Sequence, residues 1–223
     1  MLRRVADETS GNRRGRRSRE EILDVASRIM AERGYAATSL SVLSRETGLP
    51  KSAVYHHFHS KAGLLSAVMA RGAYDFFAAM REAQAGGPVG NTPRERLTWF
   101  LQRTGEVFLA RPEFLRLHLI LLMSAEAAEA EVDAIIERVR RDGRAHMNKM
   151  IAASFAPAGA EIAQAVADEL DYFGIAGFDG AFVALQAAPE RGLADQMALL
   201  AEAVAALGEA RVAGLRARDT AAR

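Results

Sequence analysis

Apolar residues recur every three or four positions along almost the whole chain, and this spacing restricts the fold more than any other feature of the sequence. Such a period places the apolar side chains on one face of an α-helix. No segment alternates apolar and polar residues between turn signals, as a half-buried strand would. We therefore predict an all-α protein with about nine helices.

The composition narrows the class of protein and its compartment. Half of the 223 residues are apolar and none is cysteine, which excludes a disulfide scaffold and thiolate metal sites and agrees with a reducing cytoplasm. The longest apolar runs have about five residues, such as Leu119 to Met123, far below the ~18 of a membrane span. No apolar stretch follows the N-terminal arginines, unlike a signal peptide. We expect a cytoplasmic protein without a membrane segment or a cofactor.

Charge is distributed unevenly along the chain. Residues 1–61 hold 12 Lys and Arg against 7 Asp and Glu, a net charge of +5, whereas the remainder holds 17 against 21, a net charge of −4. A basic segment joined to an acidic one is expected when only the first meets a polyanion. A basic tail without a function gives the same asymmetry, so the charge alone leaves both interpretations open.

Two short helices near the N-terminus are separated by Gly48-Leu49-Pro50. A first helix begins near the cap Ser18 and ends at Gly34. Thr38 or Ser39 caps the second helix, and the third runs from about Lys51 to Phe58. Two helices joined by such a turn form a helix-turn-helix, whose second helix lies in the DNA major groove.

The third helix is the recognition helix of this motif, and it carries most of the candidate DNA contacts. Its first turn, which comes closest to base edges and phosphates, contains Lys51, Ser52 and Ala53. Tyr55 and His56 follow one turn later and can donate to phosphate oxygens, and Lys61 is placed to hold a phosphate from the start of the next helix. The candidate set also includes Thr38 and Ser39 at the start of the second helix. Val54 and Phe58 lie on the opposite face of the third helix, and we expect them to pack inward.

Other basic and metal-ligating residues in this region allow alternative interpretations. Arginines before the first helix can enter the minor groove or form a solvated tail; they are Arg13, Arg14, Arg16 and Arg17. His56, His57 and His59 suggest a metal site, but adjacent residues on a helix point apart and no HExxH arrangement accompanies them. We predict no metal site.

The segment TSLSVLSRETGLPKSAVYHHFHSKAGLL, Thr38 to Leu65, resembles the DNA-binding domain of TetR/AcrR-type transcriptional regulators. The most specific elements are Gly34-Tyr35, Thr38, Gly48, Tyr55-His56-His57-Phe58 and Lys61. The resemblance implies an N-terminal three-helix DNA-binding domain. It also implies a C-terminal helical domain that binds a small ligand and forms a two-fold dimer. Under this division, residues 1–17 are a flexible basic arm, 18–64 the DNA-binding domain with the helix-turn-helix at 39–58, 65–213 the C-terminal domain and 214–223 a disordered tail.

The C-terminal part contains candidates for both implied roles. A ligand pocket would be lined by aromatic, sulfur-containing and polar side chains, namely Phe100, Thr104, Phe108, His118, Leu122, His146, Met147, Met150 and Phe173. A four-helix dimer interface would use small and apolar residues at helical spacing, namely Gly177, Ala181, Ala184, Ala188, Met197, Leu200 and Val204. Ordinary core packing explains the first set equally well. Packing within the monomer is the alternative for the second set, for which we favour the interface because a helix-turn-helix protein of this kind requires a dimer.

We predict a homodimeric, sequence-specific DNA-binding regulator, a repressor that a lipophilic effector releases from a near-palindromic double-stranded operator. The competing hypotheses are an all-α enzyme and a DNA-binding protein that needs no ligand. The sequence contains no GxSxG, P-loop, HExxH or dinucleotide fingerprint, so we predict no enzymatic activity and no catalytic residue.

Overall fold

The computed structural model describes residues 2–187 and 190–221, and within these ranges the chain is all-α. Nine α-helices and two short 3-10 helices follow one another along the chain. Their bounds are α1 Leu2–Arg33, α2 Leu40–Thr47, α3 Lys51–Phe58, α4 Lys61–Ala83, α5 Pro93–Ala110, α6 Pro112–Leu122, a 3-10 helix Ala125–Ala128, α7 Ala130–Phe155, a 3-10 helix Ala156–Ala158, α8 Ala160–Ala187 and α9 Leu193–Ala221.

Local capping explains where several of these helices begin and end. Gly34 adopts a left-handed φ of 82° after the last residue of α1, a conformation that favours glycine. At the start of α5, the Glu95 carboxylate accepts hydrogen bonds from the backbone N–H groups of Asn91 (2.7 Å) and Thr92 (3.1 Å). The Glu95 N–H donates in return to the Thr92 hydroxyl (3.2 Å), which completes a capping box.

The two ends of the chain differ from the sequence prediction. α1 begins at Leu2 and not at Ser18, so residues 2–17 are helical and continue into the buried part of that helix. α9 likewise extends to Ala221 and includes most of the predicted disordered tail. Six of residues 2–17 are Arg, and five of residues 214–221 are Leu, Arg or Ala, all of which are good helix formers. Each extension continues a helix that is already nucleated by its packing.

The chain divides into two compact units. The first consists of Met1–Asp75 and Arg111–Glu137, and the second of Phe76–Ala110 and Arg138–Arg223. Because α6 packs against α1, the first unit includes residues that the sequence assigned to the C-terminal domain. Gly72 of α4 permits a close approach within this unit, since a Cβ there would lie 2.8 Å from Phe114 Cδ2 of α6.

Each unit has its own apolar core. In the first unit, one face of α1 is buried together with side chains of α2, α3 and α4, namely Ile22, Ile29, Leu43, Val54 and Leu64. In the second unit, the Phe108 ring is fully buried and contacts Phe178 and Phe182, with ring centres 5.5 and 4.3 Å away. α9 packs against both α5 and α8 and thereby closes the second core.

Candidate nucleic-acid interface

The turn between α2 and α3 is fixed by glycine and by two side-chain hydrogen bonds. Gly48 ends α2 with a left-handed φ of 69°. The Ser44 hydroxyl donates to the Leu49 carbonyl (2.7 Å), and the Leu49 N–H donates to the Thr47 hydroxyl (3.2 Å). At the other end of α2, the Ser39 hydroxyl accepts from the Val42 N–H (3.2 Å) and caps the helix. These bonds hold the two helices of the motif in one fixed relation.

α3 divides its residues between the core and the solvent. Val54 and Phe58 are buried, as the sequence predicted. The opposite side exposes four of the predicted DNA contacts, Lys51, Ser52, Tyr55 and His56, and leaves Ala53 partly exposed. Tyr55 in particular exposes 58% of its surface, an unusual fraction for an aromatic residue in an ordered helix.

Thr38 and Lys61 have partners within the protein. The Thr38 side chain is fully buried and its hydroxyl donates to the Gly34 carbonyl (3.3 Å), so it stabilises the α1–α2 turn and is not available to DNA. The Lys61 ammonium donates to the Ala36 carbonyl (3.0 Å) and lies 4.3 Å from the Tyr35 ring centre. An ammonium has three donors, so this bond leaves donors with which Lys61 can contact a phosphate.

The histidines of α3 have different environments. His56 and His59 are exposed, whereas His57 is half-buried. Burial lowers the pKa of His57, and the neighbouring His56 and Arg19 lower it further. Among the described residues, no three His, Asp or Glu side chains come together in a way that could hold a metal ion.

The N-terminal arginines lie on α1. Arg13, Arg16 and Arg17 are exposed, and the Arg14 side chain falls outside the described residues. The Arg19 guanidinium lies 5.3 Å from the Phe58 ring centre and so joins α1 to the end of α3. An α-helix is about 10–12 Å wide and the minor groove about 6 Å, so a helical α1 does not fit inside that groove.

A polar cluster lies inside the second unit. The Gln84 amide donates to the Thr104 hydroxyl (3.0 Å), and its carbonyl oxygen lies 3.2 Å from His146 Nε2. The Thr104 hydroxyl donates to the Phe100 carbonyl (2.8 Å). Burial lowers the pKa of His146 to about 4, and the charges of Lys149 and Arg81 add to this effect. The cluster is therefore uncharged at neutral pH.

The predicted pocket residues separate into several groups. Five are buried in the second unit, namely Phe100, Thr104, Phe108, Met147 and Met150, and His146 is half-buried there. Phe173 is 45% exposed and Leu122 is 39% exposed, so the prediction that these two line a pocket is not supported. His118 and Leu122 belong to α6 and thus to the first unit. Helical periodicity does not predict such differences, because it shows which face of a helix is apolar but not which element packs against that face.

Gln84 is the functional candidate that the sequence reasoning missed. It follows the buried Met80 by four residues and so continues the apolar stripe of α4. A polar residue on an apolar stripe is the available sequence signal for such a site, because a buried amide must find hydrogen-bond partners.

The comparison with known proteins agrees with this geometry. Residues 22–68 match the family model described as bacterial regulatory proteins, tetR family, and this segment contains the whole helix-turn-helix. The likeness to the TetR/AcrR family lies in these residues. A transcriptional repressor from Rhodococcus jostii, KstR2, is 38% identical over 82 residues, which cover 37% of this chain and 39% of the repressor. A transcriptional activator from Mycolicibacterium smegmatis, FasR, is 28% identical over 156 residues, covering 64% of this chain and 71% of the activator.

Solved structures extend the likeness to the fold of nearly the whole chain. A regulator from Pseudomonas aeruginosa PAO1 superposes with a TM-score of 0.69 at 18% identity, covering 91% of this chain and 94% of that one. A regulator from Saccharomonospora viridis in complex with choline gives a TM-score of 0.63 at 21% identity, with coverage of 83% and 94%. At 18% and 21% identity, these two likenesses show a shared fold.

The predicted dimer residues are largely buried within the monomer. Met197, Leu200 and Val204 are buried in the second unit, as is Ala181, because α9 packs against α5 and α8. A Cβ on Gly177 would collide with Leu200, so this glycine permits the close approach of α8 and α9. Ala184 is exposed, and Ala188 lies outside the described residues.

Other apolar side chains of α8 and α9 point away from this core. They are Phe173 (45% exposed), Val183 (48%), Leu199 (62%) and Leu207 (47%), and with Ala184 we name them the exposed α8–α9 residues.

Within the described residues, no helix is long and apolar enough to cross a membrane.

Proposed function

We propose that this protein is a sequence-specific DNA-binding transcriptional regulator that reads its operator with α3. The observation that carries the proposal is that α3 is buried on one face and exposed on the other. Val54 and Phe58 are buried, whereas Lys51, Ser52, Tyr55 and His56 are exposed. Lys51 and Ser52 would reach base edges and phosphates from the first turn, while Tyr55 and His56 donate to backbone phosphates. The family match over residues 22–68 supports this assignment.

The second part of the proposal is a homodimer formed through the exposed α8–α9 residues. Large apolar side chains that remain exposed on two neighbouring helices are expected at an interface between subunits. A two-fold dimer places two copies of α3 in successive major grooves, about 34 Å apart, and its operator is then a near-palindrome.

The third part is an effector that binds in the second unit and is mainly apolar, with one neutral polar group. Phe77, Phe100 and Met150 surround the Gln84, Thr104 and His146 cluster, and this cluster can exchange an internal hydrogen bond for one to a ligand. Because burial keeps His146 uncharged at neutral pH, the cluster suits a hydroxyl, carbonyl or amide group better than a carboxylate. The Saccharomonospora viridis relative with bound choline supports a small-molecule site in this fold.

The sign of regulation that we propose is repression, with release by the effector. The relative that is 38% identical is a repressor, and its alignment has the higher identity of the two described above. By linkage, effector and DNA then weaken each other's binding, typically by about 1–3 kcal/mol. An effector that strengthens DNA binding would contradict this part of the proposal and leave the DNA-binding part unaffected.

The experiment that tests the proposal is fluorescence anisotropy of the purified protein on a labelled duplex from its own upstream region and on a scrambled duplex. The wild type should prefer the upstream duplex. Lys51→Ala and Tyr55→Ala should each lose about 1–3 kcal/mol of binding free energy on that duplex while their thermal unfolding stays unchanged. Lys149→Ala removes an exposed lysine of α7 and serves as the matched control. Unchanged affinity in both α3 variants would refute α3 as the recognition helix.

A screen for effectors uses the same complex. An apolar fluorescent dye that binds the second unit should be displaced by an effector, and the same compound should lower the anisotropy of the DNA complex. Dye displacement without any effect on DNA would favour the hypothesis of a ligand-independent DNA-binding protein.

A further inference from the structure

We propose that the arginine-rich part of α1, residues 13–19, is a helical clamp on the DNA backbone beside the operator, which adds affinity without reading bases. We name residues 13–19 the basic α1 region. The inference rests on the proposed DNA-binding function, but it concerns a surface that the recognition helix does not include.

The charge of the basic α1 region is the first observation. Five of its seven residues are arginine and none is acidic, and the region accounts for a charge of +5. Arg13, Arg16 and Arg17 stand at positions i, i+3 and i+4, so they share one face of α1, and all three are exposed. Rows of arginine on a helix face fit the regular negative charge of a phosphate backbone.

The position of the basic α1 region is the second observation. The Arg19 guanidinium lies 5.3 Å from the ring centre of Phe58, the last residue of α3, and α1 packs against α3. A helix rises about 1.5 Å per residue, so Arg13 lies about 9 Å further along α1 than this contact. The region therefore extends away from the C-terminal end of α3, from where its arginines can reach the DNA backbone beside a major groove that α3 occupies.

The helical state of the region determines what it can contact. A helix of about 10–12 Å diameter does not fit a minor groove about 6 Å wide, whereas its exposed arginines can reach phosphates from outside the groove. Phosphate contacts carry no base information, so the clamp should strengthen binding to any duplex equally. This expectation separates the clamp from an arm that inserts into the minor groove and prefers A·T over G·C pairs there.

The direct test is the double variant Arg16→Gln/Arg17→Gln, which removes two charges and keeps good helix formers. Its matched control is Arg216→Gln/Arg218→Gln, which removes two exposed arginines near the end of α9. The dependence of log K on log salt concentration is measured on the upstream and on a scrambled duplex. Each lost phosphate contact reduces the magnitude of this slope by about 0.9. The slope of Arg16→Gln/Arg17→Gln should therefore be smaller by about 2 per bound subunit on both duplexes, and the slope of the control should equal that of the wild type. Equal slopes in the variant and the wild type would overturn the proposal.

Two further results distinguish a clamp from an inserted arm. On duplexes whose flanks are A·T-rich or G·C-rich, the ratio of wild-type to Arg16→Gln/Arg17→Gln affinity should be the same; a larger ratio on A·T-rich flanks would overturn the proposal. Gly15→Ala strengthens the helix, and the added Cβ meets no atom within 4 Å. DNA affinity should then stay equal or rise, by up to about fivefold, because helix formation is favoured. A fall in affinity, absent from the control Gly214→Ala, would show that the region must unwind to bind.

Failure of the clamp and failure of the proposed function give different results. If the protein shows no preference for the upstream duplex, the proposed reading by α3 fails, yet the salt slopes on the scrambled duplex still test the clamp. If the preference is present and the slopes do not change, the clamp fails and the recognition helix stands.

Discussion

Lys61 holds its ammonium 4.3 Å from the centre of the Tyr35 ring and donates a hydrogen bond to the Ala36 carbonyl at 3.0 Å. The lysine begins α4 and the tyrosine follows α1, so this pair connects the first helix of the DNA-binding region to the helix that follows the recognition helix. Burial lowers the pKa of Lys61, while Glu126 and Glu129 oppose that shift. Lys61 is therefore a structural residue as well as a candidate phosphate contact.

Lys61→Met should lower the free energy of unfolding by about 1 kcal/mol, because it removes a cation–π contact and a hydrogen bond but keeps the aliphatic stem. Lys61→Arg keeps the charge over the ring and should lose less. Urea unfolding at pH 7 measures both variants. A Lys61→Met protein as stable as the wild type would mean that the ring contact does not contribute to stability and that Lys61 serves DNA binding alone.

The exposed α8–α9 residues provide the test of the dimer. Leu199→Glu should shift the protein to monomers, because it places a charge in an interface that must exclude water. Leu109→Glu introduces the same charge at an exposed leucine of α5 and should stay dimeric. Sedimentation velocity at micromolar concentration distinguishes the two. A dimeric Leu199→Glu protein would place the interface elsewhere.

The sequence predicted the local structure of the DNA-binding region well because its determinants are themselves local. Gly48 and Pro50 delimit α2 and α3, and the expected burial of Val54 and Phe58 is confirmed. Thr38 shows the limit of this reasoning. Its position next to the cap suggested a contact with DNA, but its hydroxyl bonds to Gly34 inside the turn.

The second unit could be predicted less completely because its contacts are long-range. The apolar face of α9 was visible in the sequence, yet Met197 and Leu200 pack inside the monomer, since α5 and α8 both lie against that helix. The cluster around Gln84, which directly follows α4, joins this residue to Thr104 of α5 and His146 of α7, and no spacing within one helix indicates such contacts. A helical pattern gives the side of a helix that is buried but not the element that buries it.

Two glycines of α9 test the packing of that helix. A Cβ at Gly208 would collide with the Phe155 ring, so Gly208→Ala should lower the free energy of unfolding by about 1–3 kcal/mol through overpacking. Gly214 has no atom within 4 Å of an added Cβ, so Gly214→Ala should be neutral or stabilise the protein by up to about 1 kcal/mol. Thermal and urea unfolding measure both, and equal effects of the two substitutions would contradict the close contact of α9 with Phe155.

The buried His146 should make stability depend on pH. Burial lowers its pKa from 6.5 to about 4, so between these values the unfolded chain binds a proton that the folded chain excludes. The free energy of unfolding should therefore be highest above pH 6.5 and fall as the pH drops toward 4. Between pH 7 and pH 5 the loss due to this group should be about 2 kcal/mol.

His146→Gln keeps a group that can bond to Gln84 but does not titrate, so the pH-dependent loss should be smaller by about 2 kcal/mol than in the wild type. Urea unfolding at pH 7 and pH 5 gives the two differences. Met147→Leu changes the neighbouring buried position without altering a titrating group and should keep the wild-type pH dependence. If His146→Gln loses as much stability as the wild type on acidification, then His146 takes up its proton as readily in the folded chain as in the unfolded chain, and the cluster with Gln84 and Thr104 is charged at pH 5.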